Sequence, residues 1–133
     1  MPVAAFVINR TLVRDPRGFL RRGQATAKDY GWEPWFAETS EVESALALTR
    51  RAVTAGASLV FAAGGDGTVR ACAQALADTE VPLAIVPLGT ANLTARALGV
   101  PVPVPPDRPA AAWASGWPSS ARSRPLTAPD CTR

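Results

Sequence analysis

The chain of 133 residues contains no histidine, only two cysteines and no apolar run of about 18 residues. Without histidine, catalytic triads that depend on His and metal sites with His ligands are excluded. Two cysteines, Cys72 and Cys131, do not make a disulfide framework, so the sequence predicts a reduced, cytoplasmic protein. No basic segment precedes the apolar N-terminal run, so a signal peptide is not expected, and no segment is predicted to span a membrane.

An excess of charge of one sign is also lacking, because the net charge is only +3. Residues 1–101 hold 10 basic and 9 acidic residues, so their net charge is +1. A nearly neutral folded region does not predict a nucleic-acid-binding surface. The length suits one domain with enough apolar residues for a hydrophobic core.

Residues 102–133 lack the periodicity of a strand or a helix. They contain seven of the 13 prolines, together with four Arg and two Asp. This composition predicts a disordered tail after a folded domain of residues 1–101. The tail keeps the bias of the chain toward Arg, Ala and Pro but loses the periodicity of strands and helices. This is expected of the product of a truncated or frameshifted gene. A short Pro-rich recognition segment is the alternative interpretation.

One glycine-rich stretch organises the rest of the sequence. The apolar run Leu59–Ala63 has the length of a buried strand, and the turn GGDGT follows at residues 64–68. Apolar residues then recur at helical spacing, at Val69, Cys72, Ala73 and Leu76. Glycine lets the backbone come close to a ligand, and a helix N-terminus attracts negative charge. The stretch therefore predicts a phosphate site.

Asp66 is the unexpected member of this turn. A carboxylate repels a phosphate unless Mg²⁺, water or a hydroxyl lies between them, so Asp66 indicates metal-assisted nucleotide binding or a contact with a sugar or acceptor hydroxyl. The alternative is a plain strand-to-helix turn in which Asp66 caps the following helix. The turn is not a Walker loop, because no Gly-Lys-Ser/Thr follows, and its glycine spacing differs from that of a dinucleotide fingerprint.

Strands and helices are predicted to alternate along the chain. The predicted strands are Val3–Ile8, Trp32–Ala37, Ser58–Ala63 and Leu83–Val86. The predicted helices are Gly18–Tyr30, one that a capping box at Ser40–Glu43 begins and Gly56 ends, one from the glycine turn to about Asp78, and Leu93–Leu98. Helices of this length between strands predict a three-layer, Rossmann-like α/β fold with a parallel sheet. Pro34 places the second strand at an edge of that sheet.

Polar or glycine residues follow the carboxyl end of every predicted strand. They are Asn9, Thr39, the 64–68 turn and a second tight turn at residues 88–92. Ligands bind beyond the carboxyl ends of parallel strands, so these loops are predicted to line one site. Apart from Asp66, Asp15 is the only carboxylate predicted near them, in a flexible loop.

Two motifs in these loops resemble those of the diacylglycerol kinase catalytic domain. They are GGDGT at 64–68 and PLGTAN at 87–92, and the second is followed by Ala95, Arg96 and Gly99. The resemblance runs from about Val3 to Pro101 and points to the bacterial lipid kinase branch. GGDG alone is shared with NAD kinases and 6-phosphofructokinases, whereas the second motif favours a lipid kinase.

The resemblance implies a site for ATP and Mg²⁺. It implies that the glycine turn lies against the triphosphate, through Gly64, Gly65, Asp66, Gly67 and Thr68. Asp66 would be the catalytic residue and a Mg²⁺ ligand. Further nucleotide contacts are implied for Asn9, Thr39, Gly89, Thr90 and Asn92. Helix capping is the alternative role of Thr39, and an Asx turn is that of Asn9.

The sequence departs from the family in three places. Arg10 stands where the family usually has Pro, and Arg70 where it usually has Asn. Family members continue into a β-rich second domain with the acidic general base, further Mg²⁺ ligands and much of the lipid cleft. The sequence after Pro101 shows no pattern for such a domain. The chain alone is therefore predicted to bind nucleotide without phosphorylating a lipid.

The function predicted from the resemblance is that of the ATP-binding domain of a lipid kinase that acts on a diacylglycerol-like lipid. Nucleotide is the implied partner, and a lipid becomes one when a second domain completes the cleft. A peripheral membrane contact fits this function, whereas nucleic acid does not. The alternatives are a non-catalytic nucleotide-binding or interaction module and a NAD kinase-like enzyme.

Overall fold

The computed structural model describes residues 1–100 and 102, so the predicted tail, residues 102–133, lies outside the described residues except for residue 102. The elements in chain order are β1 (Val3–Ile8), a 3₁₀ helix (Arg10–Leu12), α1 (Pro16–Asp29), β2 (Glu33–Glu38), α2 (Ala45–Thr54), β3 (Ala57–Gly64), α3 (Asp66–Leu76), β4 (Leu83–Pro87) and α4 (Leu93–Ala97). None of the helices described is long and apolar enough to cross a membrane.

The four strands form one parallel sheet in the order β2-β1-β3-β4. β2 lies at an edge, and Pro34 within it pairs in register with Ala4 of β1. The edge position was predicted because proline has no N–H to donate to a second neighbouring strand. The strand order, in which β2 pairs only with β1, confirms it.

Both faces of the sheet are covered, which explains why β1 reads as a continuous apolar run. Phe6 and Ile8 pack with Phe19 of α1 on one face, where Phe6 also stacks on Phe61 at a centroid distance of 4.8 Å. On the other face Val7 lies in a cluster with residues of α2, α3 and α4. The predicted three-layer α/β fold is confirmed.

α2 begins later than predicted. Ser40 accepts hydrogen bonds from the N–H groups of Val42 and Glu43, but these close a turn in which the Val42 side chain is 93% exposed. The helix N-cap is Ser44, whose hydroxyl accepts the N–H of Ala47 at 3.2 Å. The capping box predicted at Ser40–Glu43 is therefore wrong, because its residues cap a turn rather than the helix.

Cys72 belongs to the core between α2 and α3. Its side chain is fully buried, and the Thr49 hydroxyl lies 3.2 Å from its Sγ atom. Burial raises the pKa of the Cys72 thiol above its usual value, although the hydrogen bond with Thr49 acts in the opposite direction. The thiol therefore stays protonated at neutral pH and serves as a small core side chain.

Candidate functional site

The strand order creates a switch point at the carboxyl edge of the sheet. The chain moves from β1 outward to β2 on one side, and from β3 outward to β4 on the other, so the direction reverses between β1 and β3. At that point the N–H of Asn9 donates to the carbonyl of Ala63 at 2.9 Å. Crevices at such points are where open α/β sheets bind ligands.

The glycine turn lies at this switch point. β3 ends at Gly64, Gly65 is the N-cap of α3, and the helix begins at Asp66, two residues before the end of the GGDGT motif. The first helical hydrogen bond runs from the N–H of Val69 to the carbonyl of Gly65 at 3.1 Å. The N–H groups of a first helical turn have no partner within the helix, so they are available to an anion.

The two predicted turns pack directly against each other. A Cβ atom on Gly89 would lie 2.6 Å from the Cα of Gly65, and one on Gly65 would lie 3.3 Å from the Cα of Gly89. The Leu88 N–H also donates to the Gly64 carbonyl at 2.9 Å. Gly89 is therefore required for the close approach of the two backbones, and a side chain on Gly65 would make a tight contact there.

Gly67 differs from these glycines. A Cβ atom built on it would meet no atom within 4 Å, whereas one on Gly64 would lie 2.5 Å from Oγ1 of Thr68. Thr68 itself is buried against that glycine. Of the three glycines in GGDGT, Gly67 is thus the one at which an added Cβ atom would face open space, at the N-terminus of α3.

Asp66 joins the two turns through its side chain. Its Oδ2 atom accepts the N–H of Leu93 at 3.1 Å, and its Oδ1 atom accepts the N–H of Thr94 at 3.2 Å. These N–H groups belong to the first turn of α4, whose positive end favours a carboxylate. Asp66 therefore caps a neighbouring helix, α4, and not α3 as in the plain-turn interpretation.

The second turn is shaped by Asn92. Its backbone adopts the left-handed conformation with φ of 49°, which Asn tolerates better than most residues. Its Oδ1 accepts the Gly89 N–H at 2.9 Å, and its amide nitrogen donates to the Gly89 carbonyl at 2.7 Å. Asn92 is only 4% exposed, whereas Thr90 is exposed at the surface of the turn. Asn92 thus holds the turn from inside, and its predicted nucleotide contact stays a prediction.

Asn9 and Thr39 lie at the same edge. The Asn9 Oδ1 accepts the Thr11 N–H at 3.3 Å and the Thr11 hydroxyl at 2.7 Å, which is the Asx turn weighed as its alternative role. Thr39 donates its N–H to the Ile8 carbonyl at 2.9 Å. It does not cap α2, because Ser44 does. The predicted nucleotide contacts of Asn9 and Thr39 stay predictions.

Sequence reasoning missed one acid at this edge. β2 extends one residue beyond the predicted end, so Glu38 lies opposite Ile8 at the end of β1, and its Oε2 is 3.4 Å from Nη1 of Arg10. Glu38 directly precedes Thr39, which was already predicted there, so its position was available from the sequence. Asp15 does not lie in a flexible loop: it caps α1 by accepting the Gly18 N–H at 3.1 Å.

Among the described residues, a magnesium ion could be held by one carboxylate together with phosphates and waters, but not by a cluster of protein ligands. The described residues contain no group of three or more His, Cys, Asp or Glu side chains that could hold a metal by themselves. Asp66 uses one lone pair on each oxygen for α4, and a carboxylate has about four such sites. Mg²⁺ is commonly bound by one or two carboxylates together with phosphates and waters, which is the arrangement that Asp66 fits.

Comparisons with known proteins agree with the motifs. The family model of the diacylglycerol kinase catalytic domain matches residues 4–122, beyond the predicted domain end at Pro101. A protein from Pseudomonas savastanoi pv. phaseolicola named "Probable lipid kinase YegS-like" is 45% identical over 87 residues, which cover 64% of this chain and 28% of that protein. A protein of the same name from Pseudomonas aeruginosa is 42% identical over 85 residues, covering 62% of this chain and 28% of its own.

A similar structure has also been solved. The crystal structure of a diacylglycerol kinase from Bacillus anthracis str. Sterne matches this chain with a TM-score of 0.61 and 28% identity. The match covers 74% of this chain and 35% of the bacterial kinase, and the chain spans little more than a quarter of the length of its curated relatives. Because the family model covers most of its residues, the chain belongs to the diacylglycerol kinase catalytic domain family.

Proposed function

We propose that the chain forms the nucleotide-binding part of a lipid kinase, which transfers a phosphoryl group from ATP to a hydroxyl of a diacylglycerol-like lipid. The observation that carries this proposal is Gly67, which faces open space at the N-terminus of α3 beside the switch point of the sheet. An anion placed there would meet unpaired backbone N–H groups and the positive end of a helix.

The phosphates of ATP are proposed to lie along the 64–68 turn and to reach the second turn at Thr90. The two turns are held in fixed relative positions by the contact of Gly65 with Gly89 and by the Asp66 carboxylate. Such preorganisation matters for phosphoryl transfer, because the protein contributes mainly positioning and electrostatic stabilisation.

Mg²⁺ is proposed to be held by Asp66 together with the phosphates. When bound, the ion supplies positive charge that offsets the charge developing on the transferred group. Asp66 can take part without leaving α4, since its two N–H contacts use only part of its acceptor capacity.

The base that accepts the lipid hydroxyl's proton is proposed to come from outside residues 1–100. Of the acids described at this edge, Asp66 caps α4 and Asp15 caps α1, and Glu38 lies across β1 from the glycine turn. The curated relatives are more than three times as long as the segment they share with this chain, so the rest of their sequence is long enough for a second domain. Phosphorylation of lipid is thus proposed to need a family-type second domain.

Gly67→Val tests the nucleotide site directly. The Cβ atom of a valine here would meet no other part of the protein and would extend into the open space where phosphate is proposed to bind. We expect MgADP binding, measured by isothermal titration calorimetry, to weaken at least about tenfold while the thermal unfolding temperature changes little. Gly65→Val would be a poorer test, because its side chain would also push against Gly89.

Ala73→Val is the matched control. Ala73 lies on the same helix, is exposed and is remote from the turn, so the same bulky side chain there should leave MgADP affinity unchanged. If Gly67→Val and the wild type bind MgADP equally well, the phosphate site does not lie at this turn and the proposed function loses its main support.

A further inference from the structure

A second feature of the carboxyl edge lies on the other side of β1 from the glycine turn. Glu38 ends β2, and its carboxylate lies 3.4 Å from the Arg10 guanidinium, which follows β1. The Glu38 side chain is 30% exposed, and that of Arg10 is 64% exposed. The Glu38 carboxylate, an acceptor with two oxygens, thus lies beside a cation and remains accessible from solvent.

The ion pair borders a shallow apolar hollow between β1 and α1. Ile8, Val13, Phe19 and Leu20 line the hollow together with Arg10 and Glu38. The hollow encloses no space of its own, so a ligand at the ion pair would lie over these apolar side chains at the surface. An exposed pair of this kind adds little to folding stability, so its position beside the hollow is not explained by stability alone.

The distance between Glu38 and the glycine turn is compatible with the length of a nucleotide. β2 and β3 lie on either side of β1, so their carboxyl ends are separated by two strand spacings, roughly 10 Å. A nucleotide with its phosphates at the 64–68 turn would extend its nucleoside across β1 toward Glu38. In dinucleotide-binding α/β folds, an acidic residue after the first βα unit accepts hydrogen bonds from the ribose.

We propose that Glu38 is the ribose-binding residue of the nucleotide site, accepting hydrogen bonds from the 2′- and 3′-hydroxyls. Arg10 is a positioning residue that fixes the orientation of the Glu38 carboxylate. This assignment rests on the proposed nucleotide-binding function and adds the contact by which the chain distinguishes a ribonucleotide from other polyphosphates.

The experiment compares three probes that all carry linked phosphates. The first has a ribose, the second has a sugar without the 2′- and 3′-hydroxyls, and the third has no sugar. The full chain is titrated calorimetrically with the magnesium complexes of ADP, 2′,3′-dideoxyADP and inorganic tripolyphosphate. We expect the wild type to bind ADP at least about tenfold more tightly than dideoxyADP, as the loss of hydrogen bonds to a charged group predicts. Glu38→Ala should abolish that preference and leave tripolyphosphate affinity unchanged.

Two further variants separate the roles of the pair. Glu33→Ala is the matched control, because it removes an exposed glutamate from the opposite end of the same strand and should keep the preference for ADP. Arg10→Ala should reduce the preference without changing tripolyphosphate affinity. If Arg10→Ala weakens the binding of all three probes equally, Arg10 contacts phosphate instead of positioning Glu38.

The outcomes distinguish this assignment from the proposed function. If the wild type binds ADP and dideoxyADP equally, Glu38 does not bind ribose, although the phosphate site stands. If neither ADP nor tripolyphosphate binds, the nucleotide-binding function itself fails, and the ribose assignment fails with it. Retention of the preference in Glu38→Ala would assign the ribose contact to another residue. If Glu38→Ala does not fold, equal binding of ADP and dideoxyADP by the wild type still overturns the assignment.

Discussion

At the scale of single residues, the Asp66 carboxylate joins the glycine turn to the N-terminus of α4. Asp66→Ala removes both acceptors from the N–H groups of Leu93 and Thr94. We expect the free energy of unfolding, measured with urea, to fall by about 1 kcal/mol, as for the loss of a helix cap. Asp66→Asn keeps one side-chain oxygen and should cost less.

The same two variants test the proposed magnesium contact. Both should lose the increase in ADP affinity that Mg²⁺ gives the wild type, because neither retains a carboxylate. A calorimetric titration with and without Mg²⁺ measures this difference. If Asp66→Asn keeps the full Mg²⁺ effect, Asp66 acts only as the cap of α4.

Residue identities at the site were predictable, but several of their contacts were not. Gly65 and Asp66 stand out in the sequence as part of a glycine turn. Their partners, Gly89 and Leu93, lie more than twenty residues away, and such contacts depend on how β3 and β4 pair. Glu38 was missed for a different reason: its strand is one residue longer than its apolar pattern suggests.

At the scale of elements, the start of α2 shows how a local pattern can fit two structures. Ser40 and Glu43 match a capping box, yet Ser40 closes a turn, and the helix begins after Ser44. The residues that α2 buries are Ala45, Leu48, Thr49 and Ala52. Val42 falls outside this apolar face, and its exposure is consistent with the later start.

Ser44→Ala and Ser40→Ala test which serine caps the helix. Ser44→Ala leaves the N–H of Ala47 without its acceptor, so we expect a loss of about 1 kcal/mol in the free energy of unfolding. Ser40→Ala should cost clearly less, because water can replace the hydroxyl in an exposed turn. Urea unfolding followed by tryptophan fluorescence provides the measurement. Equal losses in the two variants would contradict this assignment of the cap.

At the scale of the whole molecule, the alternation of strands and helices predicted the parallel sheet but not the order of its strands. Alternation indicates that successive strands are parallel, and says little about which strands become neighbours. The observed order places β1 beside β3, and this adjacency brings the loop after β1 to the glycine turn. It also leaves Glu38 on the far side of β1, where the ribose of the nucleotide is proposed to bind.

We expect the 133-residue chain by itself to bind MgADP but to transfer no measurable radiolabelled phosphate from ATP to diacylglycerol in mixed micelles. The general base is proposed to come from outside residues 1–100, and its loss should slow the reaction about 10²–10⁴-fold. The loss of the groups that orient the acceptor should slow it further.

A fusion of residues 1–101 to the remaining part of a Pseudomonas relative should restore the transfer, because it adds the second domain that the proposal requires. The fusion carrying Asp66→Asn is the control for the nucleotide site and should be inactive. Phosphorylation of lipid by the purified chain itself, lost in its Asp66→Asn variant, would show that the chain already holds a complete catalytic site. Binding of MgADP with no transfer by either the chain or the fusion would favour a non-catalytic nucleotide-binding module.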